Sequence, residues 1–145
     1  MNLKNYLVES HNRLKITDKK FHENCFICGQ NSRKGLKLNF VLKEDQTLLG
    51  QFKISEDFQG YNGILHGGII TAILDAGMIN LFYMRDGIDL KTAKLNIRFI
   101  RPIPAEETII VKAAADSDIR HFYKAKSQII VRDKIFAEAE GYFRK

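Results

Sequence analysis

His66-Gly67-Gly68-Ile69-Ile70-Thr71-Ala72-Ile73-Leu74-Asp75-Ala76-Gly77-Met78-Ile79-Asn80-Leu81-Phe82-Tyr83-Met84 is the stretch on which the fold turns. From Gly68 to Met84 it is apolar on nearly every side, has helical length, and is bounded by glycines before and Arg85-Asp86-Gly87 after. A helix without a polar face belongs inside a protein. One residue breaks the pattern: Asp75 is the only charged side chain between Gly68 and Met84. Burying a carboxylate costs several kcal/mol unless it is paired or hydrogen-bonded. Desolvation raises its pKa, which suits a general base near neutrality. An aspartate satisfied by backbone donors, or a helix open at that point, is the plain alternative.

Just before this run, Gly67 and Gly68 clear side chains from the first helical turn. Free N–H groups and the positive end of the helix dipole gather there. A carbonyl can then approach fixed donors, as an oxyanion hole requires. Alone, a glycine pair usually serves a turn. Combined with Asp75 it points to chemistry.

The flanking segments read as strands. Leu36, Leu38, Phe40 and Leu42 alternate with Lys37, Asn39, Val41 and Lys43, the period of a half-buried strand. A turn at Glu44-Asp45-Gln46 leads to a hairpin partner over 47–54. Residues 55–67 form a polar, glycine-bearing loop. After the helix, 91–100 alternates with Ala93, Leu95, Ile97 and Phe99 on one face and ends before Pro102 and Pro104. Segments 108–115, 120–131 and 135–143 complete a meander. One buried helix among antiparallel strands predicts an α+β fold, a sheet of five to six strands wrapped around one long central helix. Residues 1–24, with helical spacing from Leu3 to Leu14, read as a short N-terminal helical appendage to a domain over 25–145.

Length and composition fit one globular domain: 145 residues, 45% hydrophobic and 28% charged. The net charge of +6 suits an anionic partner, yet the cations are scattered among acids, which argues against nucleic acid. No apolar run approaches the roughly 18 residues of a bilayer span, and the N-terminus lacks the apolar core of a secretory signal, so no membrane partner and a cytoplasmic location are expected. Cys25 and Cys28 form a single Cys-x-x-Cys. A zinc site with His22 can be drawn, but one pair is a poor predictor, and a tight knuckle with Cys25, Phe26 and Ile27 packed inward is favoured. No metal site is expected.

The run Gln59-Gly60-Tyr61-Asn62-Gly63-Ile64-Leu65-His66-Gly67-Gly68-Ile69, with Asp75 nine positions after His66, resembles the hotdog-fold acyl-CoA thioesterases of the phenylacetate-pathway and thioesterase-superfamily-2 type. The resemblance runs from about Cys25 to the C-terminus. It implies hydrolysis of an acyl-CoA, with coenzyme A as part of the substrate and no cofactor. Asp75 would be general base or nucleophile, and the Gly67 amide the oxyanion donor. His66 would orient the loop, Thr92 would position water, and Gln59 would stand in for an asparagine that some relatives carry where this chain has Gly60. Gly68, Asn62, Tyr61, Arg120 and Lys124 are the implied substrate-binding positions. Arg98, Arg101, His121 and Lys126 are further candidate cations, and Phe58, Tyr61, Ile70, Leu74, Met78 and Phe82 candidate channel residues. Two protomers would share each site, giving a homodimer and then a dimer of dimers, a homotetramer. A hotdog dehydratase and a non-catalytic acyl-CoA-binding module are the alternatives; the absence of proline from the loop counts against the first.

Overall fold

The computed structural model describes residues 15–16, 18, 20–117 and 122–145. The helix expected from Leu3 to Leu14, and Arg120 and His121, lie outside the described residues. Seven strands and one long helix follow in chain order: β1 (Lys15–Ile16), β2 (Val41–Leu42), β3 (Leu48–Lys53), α1 (Gly67–Asp86), β4 (Lys91–Phe99), β5 (Thr108–Ser117), β6 (Tyr123–Val131) and β7 (Lys134–Arg144). The strands form one antiparallel sheet in the order β1-β2-β3-β5-β6-β7-β4. The five strands longer than two residues make the expected sheet around α1, the hotdog arrangement; two two-residue strands extend it at one end.

α1 starts and stops where its sequence says it should. His66, extended at φ −61° and ψ 134°, caps it by accepting the Gly68 N–H on Nδ1 at 2.8 Å. Gly87 closes it in the left-handed region at φ 69°, donating its N–H to the Tyr83 carbonyl at 2.8 Å. Ile73, Leu74, Met78, Leu81 and Phe82 are wholly enclosed against the inner faces of β5, β6 and β7. Each such side chain contributes roughly 1.5–3 kcal/mol by leaving water. The burial is not all round, however. A stripe through Thr71, Ala72, Asp75 and Ile79 stays partly open, and Asp75 stands in its middle. By length and hydropathy α1 would also pass for a membrane span, with 56% of the qualifying window buried inside the protein, as the core helix of a globular domain also does.

The expected strand over 36–42 is corrected. Only Val41–Leu42 joins the ladder, because the Leu36 and Leu38 N–H groups go to the carbonyls of Phe26 and Ile27, and Lys37 sits at φ 51°. The alternation still sorts burial, with Leu38, Phe40 and Leu42 inside. Those carbonyls belong to the cysteine knuckle, closed by the Gly29 N–H on the Cys25 carbonyl at 2.7 Å. Its packing also differs from expectation: Ile27 and Cys28 face the core while Phe26 is 55% exposed. Burial pushes the Cys28 thiol up to about 11. His22 places Nε2 3.0 Å from Asp89 Oδ1, and Phe21 stacks on Tyr83 of α1. Phe21 and His22 are therefore fastened to the helix and the chain just beyond it, as β1 is to the sheet.

β4 is the end strand of the sheet, hydrogen-bonded to β7 on one side and exposed along most of its length. Its register with β7 slips between Thr92 and Lys94, leaving Ala93 as a bulge. Leu95, Ile97 and Phe99 oppose Gly141, Ala139 and Ala137, positions on the helix-facing side, and Thr92 opposes the buried Phe143. The bulge thus turns Thr92 toward α1. Without it Ala93 would take that direction, as simple alternation expects.

Candidate active site

Asp75 is half-buried, and burial raises its pKa above the ordinary carboxylate value. One hydrogen bond opposes that rise: Thr92 Oγ1–H donates to Asp75 Oδ1 at 2.7 Å. The carboxylate is therefore poised rather than neutralised, since no cation forms a salt bridge with it among the described residues. A carboxylate held this way accepts a proton more readily than an exposed one, the property a general base needs.

At the first turn of α1, the loop over 59–66 folds into a braced turn. The Gly60 N–H donates to the Ile64 carbonyl at 2.8 Å, and the Gly63 N–H donates to Gln59 Oε1 at 2.9 Å. His66 packs over Gly60, where an added Cβ would meet its Cα and Cδ2 at 3.1 Å. Because His66 Nδ1 accepts the Gly68 N–H, the neutral ring carries its proton on Nε2. The Gly68 amide is thereby used. The Gly67 N–H, first in the helix, has no acceptor among the described residues, and Gly67 is among the residues lining a cavity of about 750 Å³. Tyr61, Ile64, His66, Ile70, Phe99 and Arg101 are among the residues around it.

The implied site residues do not all gather here. Tyr61, His66 and Gly67 line the cavity; Asp75 and Thr92 form a second cluster further along α1. Gln59 braces its own loop, and neither Asn62 nor Gly68 lines the cavity. Lys124 is held by Asp116 at 3.0 Å and Glu140 at 3.1 Å, so its charge is already matched. Of the candidate channel residues, Leu74, Met78 and Phe82 are sealed in the core, while Tyr61 and Ile70 reach the cavity. Phe99 and Ile103 were missed as lining residues; their signal was only their place at and beyond the end of β4.

The Gly67 amide and the Asp75 carboxylate cannot meet within one chain. Eight residues of α-helix separate them by about 12 Å along the axis.

Comparison with known proteins agrees with this fold. The family model described as thioesterase superfamily matches residues 62–117, the segment that contains Gly67, Asp75 and Thr92. The acyl-coenzyme A thioesterase THEM4 of Bos taurus is 25% identical over 116 residues, which cover 77% of this chain and 47% of that protein. The chain thus spans about half the length of this relative. A crystal structure of a thioesterase superfamily protein superposes with a TM-score of 0.78 at 19% identity, covering 99% of this chain and 73% of the other. The smu.793 protein of Streptococcus mutans, solved bound to acetyl CoA, gives 0.67 at 17% identity, covering 74% and 86%. The family model thus lies over the segment that carries Gly67, Asp75 and Thr92, and the solved thioesterase-superfamily structure shares the hotdog fold along the chain.

Proposed function

We propose that the chain hydrolyses acyl-CoA thioesters to a free acid and coenzyme A, at sites shared between two copies of itself. The observation that carries this reading is the half-buried Asp75 carboxylate, hydrogen-bonded by Thr92 on the sheet's end strand. The relative THEM4 is named an acyl-coenzyme A thioesterase, and the Streptococcus mutans structure holds acetyl CoA.

Pairing of the edge strands explains how the halves combine. Among the described residues β4 offers an open edge, and two copies joined antiparallel about its middle, near Leu95, would set Lys91 of one against Phe99 of the other. Phe99 adjoins Gly67, and Thr92 holds Asp75. Asp75 of one copy would then face Gly67 of its partner. The Gly67 N–H polarises the thioester carbonyl and receives its developing charge. Asp75 takes a proton from water, whose oxygen bonds to the carbonyl carbon as the C–S bond breaks and the coenzyme A thiolate leaves with that proton. Alternatively, Asp75 attacks the carbon itself, expelling the thiolate and leaving an anhydride that water then hydrolyses. In either route Thr92 holds the carboxylate in place. His66 fixes the helix start. The chain supplies every role, so the reading calls for no metal or organic cofactor. A dimer is the smallest assembly that works, and a dimer of dimers the larger one.

Thiol release from a panel of short, aromatic and long acyl-CoAs, by wild type and Asp75→Ala, tests the proposal. Loss of about 10²–10⁴-fold in the variant is expected. Wild type that binds coenzyme A yet releases thiol from no substrate would make the protein a binding module. A light-scattering mass of one chain would end the shared-site arrangement.

A further inference from the structure

Cys25 and Cys28 are the chain's two cysteines, both are free thiols, and neither lines the cavity at the start of α1. Hydrogen bonds from the Gly29 N–H to the Cys25 carbonyl at 2.7 Å and from the Cys25 N–H to the His22 carbonyl at 2.8 Å wind the backbone around them into one tight turn. Gly29 has no room for a side chain there, since an added Cβ would collide with the Cys25 backbone. From outside, the Leu36 and Leu38 N–H groups grip the same turn through the Phe26 and Ile27 carbonyls. Residues three apart on a helix-like turn have Cα atoms about 5 Å apart, inside the range that a disulfide spans. The two sulfurs lie within hydrogen-bonding reach of each other.

The two thiols are not alike. Cys28 is buried beside the wholly enclosed Asn80 of α1, and burial keeps it protonated at neutral pH. Cys25 is partly open to solvent, and its sulfur accepts the Ile27 N–H at 3.4 Å, which fixes its direction. A metal would need more ligands than these. His22 is committed to Asp89 at 3.0 Å, and among the described residues no third His, Cys, Asp or Glu joins the pair in a cluster that could hold an ion. A structural staple is also a poor fit, because so short a ring restricts the unfolded chain least. An exposed thiol beside a buried one, pre-set at bridging distance, suits exchange instead.

We propose that Cys25 and Cys28 form a reversible dithiol–disulfide site that reacts with low-molecular-weight disulfides, Cys25 attacking and Cys28 resolving. Cys25 gives its proton to solvent and bonds to one sulfur of the small disulfide, whose S–S bond breaks and whose other half leaves as a thiolate. Cys28 then loses its proton and attacks the Cys25 sulfur, expelling the second thiolate. Two protein thiols are oxidised to one disulfide, and one small disulfide is reduced to two thiols once the protons are taken up. The second step needs no access from solvent, because its target is the neighbouring sulfur. Neither Asp75 nor the Gly67 amide takes part, so the site stands apart from the hydrolytic reading.

Incubating the full-length protein with glutathione disulfide, quenching with iodoacetamide in denaturant and weighing the intact chain tests the proposal. Wild type should pass from two alkylated thiols to none, with a glutathione adduct appearing only transiently, and excess glutathione should reverse the change. Cys28→Ala should accumulate the adduct on Cys25, because nothing displaces it. Cys25→Ala should react at least about tenfold more slowly than wild type, its remaining thiol being buried and protonated. If a variant does not fold, the wild-type time course decides alone: a transient adduct that closes to a disulfide within one chain supports the site. Two thiols still alkylated after long exposure, an adduct that persists on wild type, or a disulfide joining two chains would overturn it. So would a Cys25→Ala protein that reacts as fast as wild type, or stoichiometric zinc in the purified protein that Cys25→Ala loses.

Discussion

Gly67 and Asp75 lie on the same helix, yet they are made in opposite ways. The Gly67 station is backbone: an amide left over by helix geometry, opening on a cavity, with its neighbours Gly60, Gly63 and His66 locked by hydrogen bonds and close packing. Its local cost is small, because the first N–H groups of any helix lack partners. The Asp75 station is a side chain withdrawn from water, opposed by one hydroxyl, and it carries a desolvation cost that the fold must offset elsewhere. The difference teaches that a site can combine a part that folding supplies almost freely with a part that works against stability. The two should fail differently when altered.

The largest expected effect comes from removing the backbone half. Proline at position 67 supplies no N–H but suits the first helical residue. His66 already has the extended conformation that a following proline demands, and an added Cβ would come no closer than 3.5 Å to Phe99. Gly67→Pro should therefore keep near-normal circular dichroism while its kcat falls about 10²–10³-fold. A fully active Gly67→Pro protein would remove the amide from the mechanism. Unfolding and refolding it together with Asp75→Ala sharpens the comparison further. Hybrid dimers would regain one complete site, so the mixture should reach about a quarter of wild-type activity under random pairing. If both halves acted within one chain, mixing would restore nothing.

The Asp75 half was the more legible of the two in the sequence. A single charge in an apolar run is visible as a conflict between composition and burial, and the structure keeps that conflict. What makes Thr92 its partner was not visible in the strand's period. Alternation through Leu95, Ile97 and Phe99 selects Ala93, and only the bulge sends Thr92 inward. Nor does the alternation of 36–42 reveal that Phe26 and Ile27 take the N–H groups a strand would need. Side-chain period reports burial, whereas ladder membership depends on where distant carbonyls lie. The Gly67 half was legible as a glycine pattern, but the division of labour between its amides depends on a ring nitrogen at 2.8 Å.

An intermediate effect is expected from Thr92→Val, which keeps shape and removes the hydroxyl. Thr92 lowers the Asp75 pKa against the pull of burial, so its loss lets that pKa climb further. Activity that depends on the carboxylate form then begins at higher pH. The pH–rate profile should move its acidic limb upward, with about tenfold less activity on the acid side for each unit moved. The deficit should narrow toward alkaline pH. A uniform loss at all pH values would instead mean that Thr92 acts on the water or substrate, leaving the Asp75 titration untouched.

The smallest effect is on stability, and its sign is the informative part. Burial raises the Asp75 pKa in the folded chain above its unfolded value of about 3.9. Between those two values the folded state binds more protons than the unfolded one, so stability falls as pH rises through that window. Below the window the carboxyl is protonated in both states and the penalty vanishes; above it the penalty is complete. Asp75→Asn retains an oxygen to accept the Thr92 hydroxyl but has no charge to desolvate. Its Tm should exceed that of wild type by a few degrees at neutral pH, and the two melting curves should converge as the pH drops through the window. A lower Tm for the variant at neutral pH would mean that the Thr92 bond to the charged carboxylate outweighs its burial. Asp75 would then be a stabilising residue, and the contrast with Gly67 would lose its physical basis.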